Sequence, residues 1–203
     1  MDKAKIRLSA NEMELVTNAG WILTKNGIIE KTKALFGELQ EEMVRHLKNN
    51  PHQLMIDVTC VPPKISKGEN YKGLPYLMLD YPRLFDKENI FAIRTMFWWG
   101  NFFSITLHFG GSYKKQSEQK CIEAFEVFKR NDFFICISAD EWEHHFETSN
   151  YIPVKNMIKP EWNKLIKEKP FIKIAKKKSL HHWDDAKNEL TDDFKVITGV
   201  VTS

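Results

Sequence analysis

Residues 68–111 read GENYKGLPYLMLDYPRLFDKENIFAIRTMFWWGNFFSITLHFGG, and their reading decides the fold. Ile90–Trp99 and Phe102–Phe109 are two apolar runs separated by Gly100-Asn101. A Gly-Asn pair between such runs marks a hairpin, because glycine supplies the positive φ that a tight turn needs. The second run alternates. Phe103, Ile105, Leu107 and Phe109 share one face, and Phe102, Ser104, Thr106 and His108 share the other.

Loop length then sets which residues of the first run join each face. A two-residue loop puts Arg94 opposite Leu107, in the apolar set, where an unpaired charge is costly. A three-residue loop with a bulge shifts the pairing by one and flips every side chain of one strand relative to the other. All the odd-numbered apolar residues then share the core face. Arg94, Trp98, Ser104, Thr106 and His108 share the opposite one. This register leaves no orphan charge in the core and is the one we expect.

Leu74–Tyr81 reads as a further strand, placed at an edge or bounded by Pro75 and Pro82. Residues 53–61 (QLMIDVTCV) read as a short strand, and Pro62-Pro63 through Gly73 as a loop. Ser9-Ala10-Asn11-Glu12 is a capping-box pattern opening a short helix that Gly20 closes. From about Thr24 to Lys48, Ile28, Ile29, Leu35, Phe36, Leu39, Met43 and Leu47 recur at helical spacing. Ser117–Arg130 is helical with Cys121, Phe125 and Phe128 inward, and FFICI at 133–137 is a strand buried on both faces. Ser138–Glu141 repeats the capping-box pattern and predicts a short helix carrying Trp142, His144, His145 and Phe146. A helix from Pro160 to Lys169, a strand at Phe171–Ala175 and a final helix bearing Trp183, Ala186, Leu190, Phe194 and Ile197 complete the chain. Strands cluster in adjacent runs instead of alternating with helices. The expectation is a single α+β domain over residues 1–203, with a central, mostly antiparallel sheet built around the 90–109 hairpin and amphipathic helices packed on it.

The chain's 203 residues suffice for a substantial core without disulfides or metal. Three scattered cysteines with no C-x-x-C point to a reducing, cytoplasmic setting and to no metal-thiolate cluster. No apolar run reaches the ~20 residues of a membrane span, and the first sixteen residues lack an apolar leader core. A net charge of +3 is too weak to imply nucleic acid.

No catalytic or cofactor motif stands out, so no cofactor is assigned. The candidate ligand-binding set is the polar hairpin face, Arg94, Trp98, Ser104, Thr106 and His108. Arg94 can hold an anion through its planar guanidinium, and His108 can titrate near neutral pH. The first reading is a non-catalytic binding module for a small anionic ligand or a protein partner. A second is an enzyme with His108 as general base and Arg94 as anion clamp, needing a third group to orient the histidine, for which Asp80 is available. A third is nucleic-acid association through the basic Lys164–Lys178 region, disfavoured because acidic residues interleave nearby. A metal site would require Glu141 and His144 to meet His181-His182-Trp183-Asp184-Asp185 in space.

Overall fold

The computed structural model describes residues 6–50 and 59–202. Two of its strands, β3 (Ile90–Trp98) and β4 (Phe102–Gly110), form the expected hairpin. The loop is three residues long. Gly100 takes φ 69°, and the Asn101 amide closes the turn on the Trp98 carbonyl at 3.0 Å. Trp98 therefore faces Phe102, and Arg94 faces Thr106 and not Leu107. Phe91, Ile93, Phe97, Phe103, Ile105, Leu107 and Phe109 all enter one continuous core.

Around this hairpin a seven-stranded antiparallel sheet is built in the order β1-β2-β3-β4-β7-β5-β6. Here β1 is Lys64–Tyr71, β2 Leu74–Phe85, β5 Phe134–Cys136, β6 Tyr151–Pro153 and β7 Phe171–Ser179. The sequence reading took residues 62–73 as a loop, but 64–71 form the edge strand, joined to β2 through Lys72 and Gly73 at positive φ. β2 is consequently an interior strand. Its ladder shifts register between Asp80 and Arg83, and Pro82 lies at this irregularity, where no ladder hydrogen bond is asked of it. Of the short strand read over 53–61, residues 53–58 lie outside the described residues, and 59–61 carry no strand.

Helices cover one face of the sheet. α1 (Ala10–Thr17) starts at the Ser9–Glu12 capping box, and α2 runs from Ala19 to Asn49. α2 buries Ile29, Thr32, Phe36, Leu39, Met43 and Leu47, a stripe at helical spacing. The region read as one helix over 117–130 is two, α3 (Gly111–Glu123) and α4 (Phe125–Arg130), meeting at Ala124. α5 (Lys159–Glu168) inserts Trp162, whose indole N–H donates to the Cys121 carbonyl at 3.0 Å. α6 (Ala186–Thr202) adds Leu190, Phe194 and Ile197 to the core. Among the described residues no helix is long and apolar enough to cross a membrane.

Among the described residues the other face carries no helix. Ser138–Asn150, expected to open a helix, is an irregular strap of turns. Ser138 and Asp140 accept from the amides of Asp140 and Trp142, which starts successive turns. The Tyr71 hydroxyl accepts from the amides of His144 and His145, and Lys173 takes the carbonyls of Glu141 and Glu143. Backbone groups that a helix would pair internally are claimed by the sheet.

Gly111 begins α3 at φ 59°, and a Cβ there would lie 2.0 Å from the Glu88 carbonyl oxygen. Gly100 also has positive φ but open space around it. Gly111→Ala is therefore expected to cost at least about 2 kcal/mol, and Gly100→Ala only about 1 kcal/mol. Urea denaturation of both variants checks the order, and equal costs would show that the Gly111 contact is not rigid.

Candidate functional site

The hairpin register places Arg94, Trp98, Ser104, Thr106 and His108 together on the face away from the helices. β7 supplies Lys173 opposite His108 and Ala175 opposite Thr106, and β2 supplies Asp80 opposite Arg94. The strap lies across this surface, so the set is gathered but covered.

Arg94 donates through Nε to Asp80 Oδ1 at 2.7 Å and through Nη2 to Oδ2 at 3.5 Å. The Phe85 and Trp142 rings lie 5.3 and 5.7 Å from its guanidinium carbon. Both partners of the pair are largely buried, with side-chain exposures of 14% and 8%. Arg94 thus already holds a carboxylate, and it belongs to this chain.

His108 is fully buried, and its Nε2 is 2.8 Å from Glu141 Oε2. Burial lowers its pKa, outweighing the opposing effect of Glu141, so the imidazole is neutral and Nε2–H donates to the carboxylate. The hydrogen bond from His108 in turn holds Glu141 below the usual carboxylate range. Among the described residues, His108 Nδ1 is buried without a hydrogen-bond partner, as is the Trp98 indole nitrogen. The group that orients His108 is Glu141, not Asp80.

Lys173, 1% exposed, donates to the Glu141 carbonyl at 2.9 Å and to the Glu143 carbonyl, and its ammonium lies 5.5 Å from the Tyr151 ring centroid. Burial brings its pKa down to about 8. Tyr71 donates to Glu143 Oε2 at 2.8 Å while accepting two strap amides, and burial raises its pKa. Asn150 Nδ2 ties the strap's return to the carbonyls of Glu143 and His145. Burial holds His144, packed 5.4 Å from the Tyr71 ring, well below the ordinary histidine range. Sequence reasoning missed Glu141, Lys173 and Tyr71 as partners of this face. Lys173 was legible, since alternation in FIKIA sets it apart from Ile172 and Ile174.

A cleft of about 310 Å³ opens on the flank of the strap, lined among others by Glu88, Gly110, Gly111 and Phe171. Glu141 is where that cleft meets the buried cluster. The two His-rich segments do not meet. Trp183 packs on Phe97 and Phe103 on the helix side, while the strap lies on the other side of the sheet. No group of three metal-ligating side chains forms among the described residues. Most of the lysines near β7 are engaged as well. Lys176 and Lys178 pair with Asp193, Lys178 also with Glu189, and Lys177 lies over the Phe134 and Phe146 rings.

A different surface is left open. Ile6, Leu8, Met13, Leu15, Val16, Trp21, Ile22 and Leu23 are between 41% and 83% exposed. α1 buries no residue at all. The sequence reading named the α1 helix but assigned this segment no role.

Comparison of the chain with known protein families, curated proteins and solved structures gives no match.

If Arg94 serves the architecture, Arg94→Met leaves Asp80 buried and unpaired, and should cost about 2–4 kcal/mol. Asp80→Leu/Arg94→Met should recover most of that loss. Denaturant melts decide, and an unaffected single variant would free Arg94 for a ligand.

The histidines set a pH dependence. His108 and His144 stay neutral in the fold below the pH at which the unfolded chain takes up protons, near 6.5. The unfolded state then binds more protons, so stability falls as pH drops through that value. The expected loss from pH 7.5 to 5.5 is about 1–3 kcal/mol. Lys173 acts in another window: the cost of burying its charge is present below about pH 8 and is relieved as pH rises above it. Thermal melts across pH should therefore rise in both windows, and a flat profile would place charged imidazoles inside the fold.

Proposed function

We propose that the chain is a non-catalytic binding module, a single cytoplasmic domain, that engages a protein partner through the apolar segment 6–23. The observation carrying this reading is that eight of the twelve exposed large apolar side chains among the described residues fall in one stretch. Exposed apolar side chains concentrated in one segment favour an interaction site. Three free cysteines, two of them buried, fit a reducing compartment.

Small-anion binding at the Arg94–His108 face has less support, because Asp80 already neutralises Arg94 and the strap covers the face. The enzyme reading gains Glu141 as a group orienting His108, but the imidazole is shut away from solvent and substrate alike. The nucleic-acid reading loses most from the carboxylate pairs of Lys176 and Lys178.

Val16→Glu/Leu23→Glu tests the proposal, since neither side chain is buried and the fold should persist. Affinity purification from source cells should recover protein bound to the wild-type chain and lost from the double variant. Identical recovered sets would remove this segment from partner binding.

A further inference from the structure

We infer that the surface at residues 6–23 is covered by a second copy of this chain, in a two-fold dimer. This rests on the reading of that segment as a partner-binding surface.

α2 is somewhat longer than the strand it packs on: its 31 residues span about 46 Å, against about 40 Å for the twelve-residue β2. Trp21 and Ile22 lie seven residues before Ile28 and Ile29, so they continue the stripe that α2 buries. Lys25, between them, is tied to Glu69 of β1 at 2.8 Å. N-terminal to that contact the stripe runs on past the sheet.

α1 poses a sharper problem. It has eight residues, none buried. Isolated helices shorter than about 12–15 residues are marginal in water. A capping box contributes about 1 kcal/mol and does not replace tertiary contact. Yet α1 is capped at Ser9, and Asn18 accepts from the Trp21 amide to start the next helix. A helix defined this sharply needs a surface to lie on, and among the described residues none covers it.

Area and charge favour a copy as that surface. Eight residues at 41–83% exposure, at roughly 200 Å² for a large residue, leave at most on the order of 900 Å² uncovered around the two helices, an upper bound that reaches the roughly 800 Å² per partner of a stable interface. The ionisable side chains of residues 6–24 are Arg7, Glu12 and Glu14. Both signs are present, so the strip neither repels its own copy nor selects a strongly charged partner. A lone arginine is also not the basic face of a helix lying on a membrane surface. A two-fold axis lets the same strip cover itself and closes the assembly at two copies.

The test is light scattering of the full chain from about 1 to 100 µM, with wild type, Val16→Glu/Leu23→Glu and Met13→Glu/Trp21→Glu, each checked by circular dichroism. We expect a wild-type dimer, and for both variants a dissociation constant raised at least about a hundredfold. Amide exchange at 10–24 should be slowed in the wild-type dimer and fast in the variants. A wild-type monomer at the highest concentration overturns the second copy. If that monomer still recovers another protein through the same residues, the partner-binding reading survives alone; if it recovers none, both fall. A monomer that binds anionic phospholipid vesicles overturns the inference in favour of lipid. A dimer that persists in both variants places the interface elsewhere and overturns it too.

Discussion

The pairing of Arg94 with Thr106, and not with Leu107, is the constraint on which the rest of the molecule depends. One residue of loop length sets it. With Trp99, Gly100 and Asn101 in the turn, every odd-numbered apolar residue of the hairpin faces the helices, and every polar one except Thr95 faces away. The helix face then becomes an ordinary packed core. The other face inherits an arginine, a histidine and two hydroxyls in the middle of a seven-stranded sheet, where they must be either solvated or satisfied.

The chain satisfies them from both sides. Neighbouring strands bring Asp80 to Arg94 and set Lys173 beside His108. The strap brings Glu141 to His108 and offers its own carbonyls to Lys173. The exchange is reciprocal, because a strap without helix or strand pairs little of its backbone internally. Lys173 and Tyr71 supply the missing donors and acceptors, so the polar face folds the strap as much as the strap covers the polar face. This mutual dependence makes an architectural role for Arg94 and His108 the economical account of their chemistry.

The same physics explains what could be read in advance. The register was legible because only one choice keeps a charge out of the apolar set, a decision internal to residues 90–109. The stripes of α2 and α6 were legible for the same local reason. β1 was not, because KISKGENY lacks apolar alternation; as an edge strand it carries Lys64, Lys67 and Glu69, charges that discourage further pairing. The strap was misread as a helix because its capping signal is local while its partners, Tyr71 and Lys173, are some 70 residues before it and 30 after it. Glu141 looked like a metal ligand by spacing and proved to be the companion of a buried histidine.

The contrast between the two unusual regions bears on function. Beneath the strap, titratable groups are mostly paired, buried and closed to solvent, although Trp98 and His108 each leave one nitrogen unpartnered. At the N-terminal segment the balance is reversed: the backbone is ordered into capped helices, and the side chains it presents are apolar and uncovered. Ordering a helical turn costs conformational entropy that only burial of side chains offsets at this length. The polar face meets most of its own requirements within one chain. The N-terminal helices do not: among the described residues, nothing covers the apolar side chains they present.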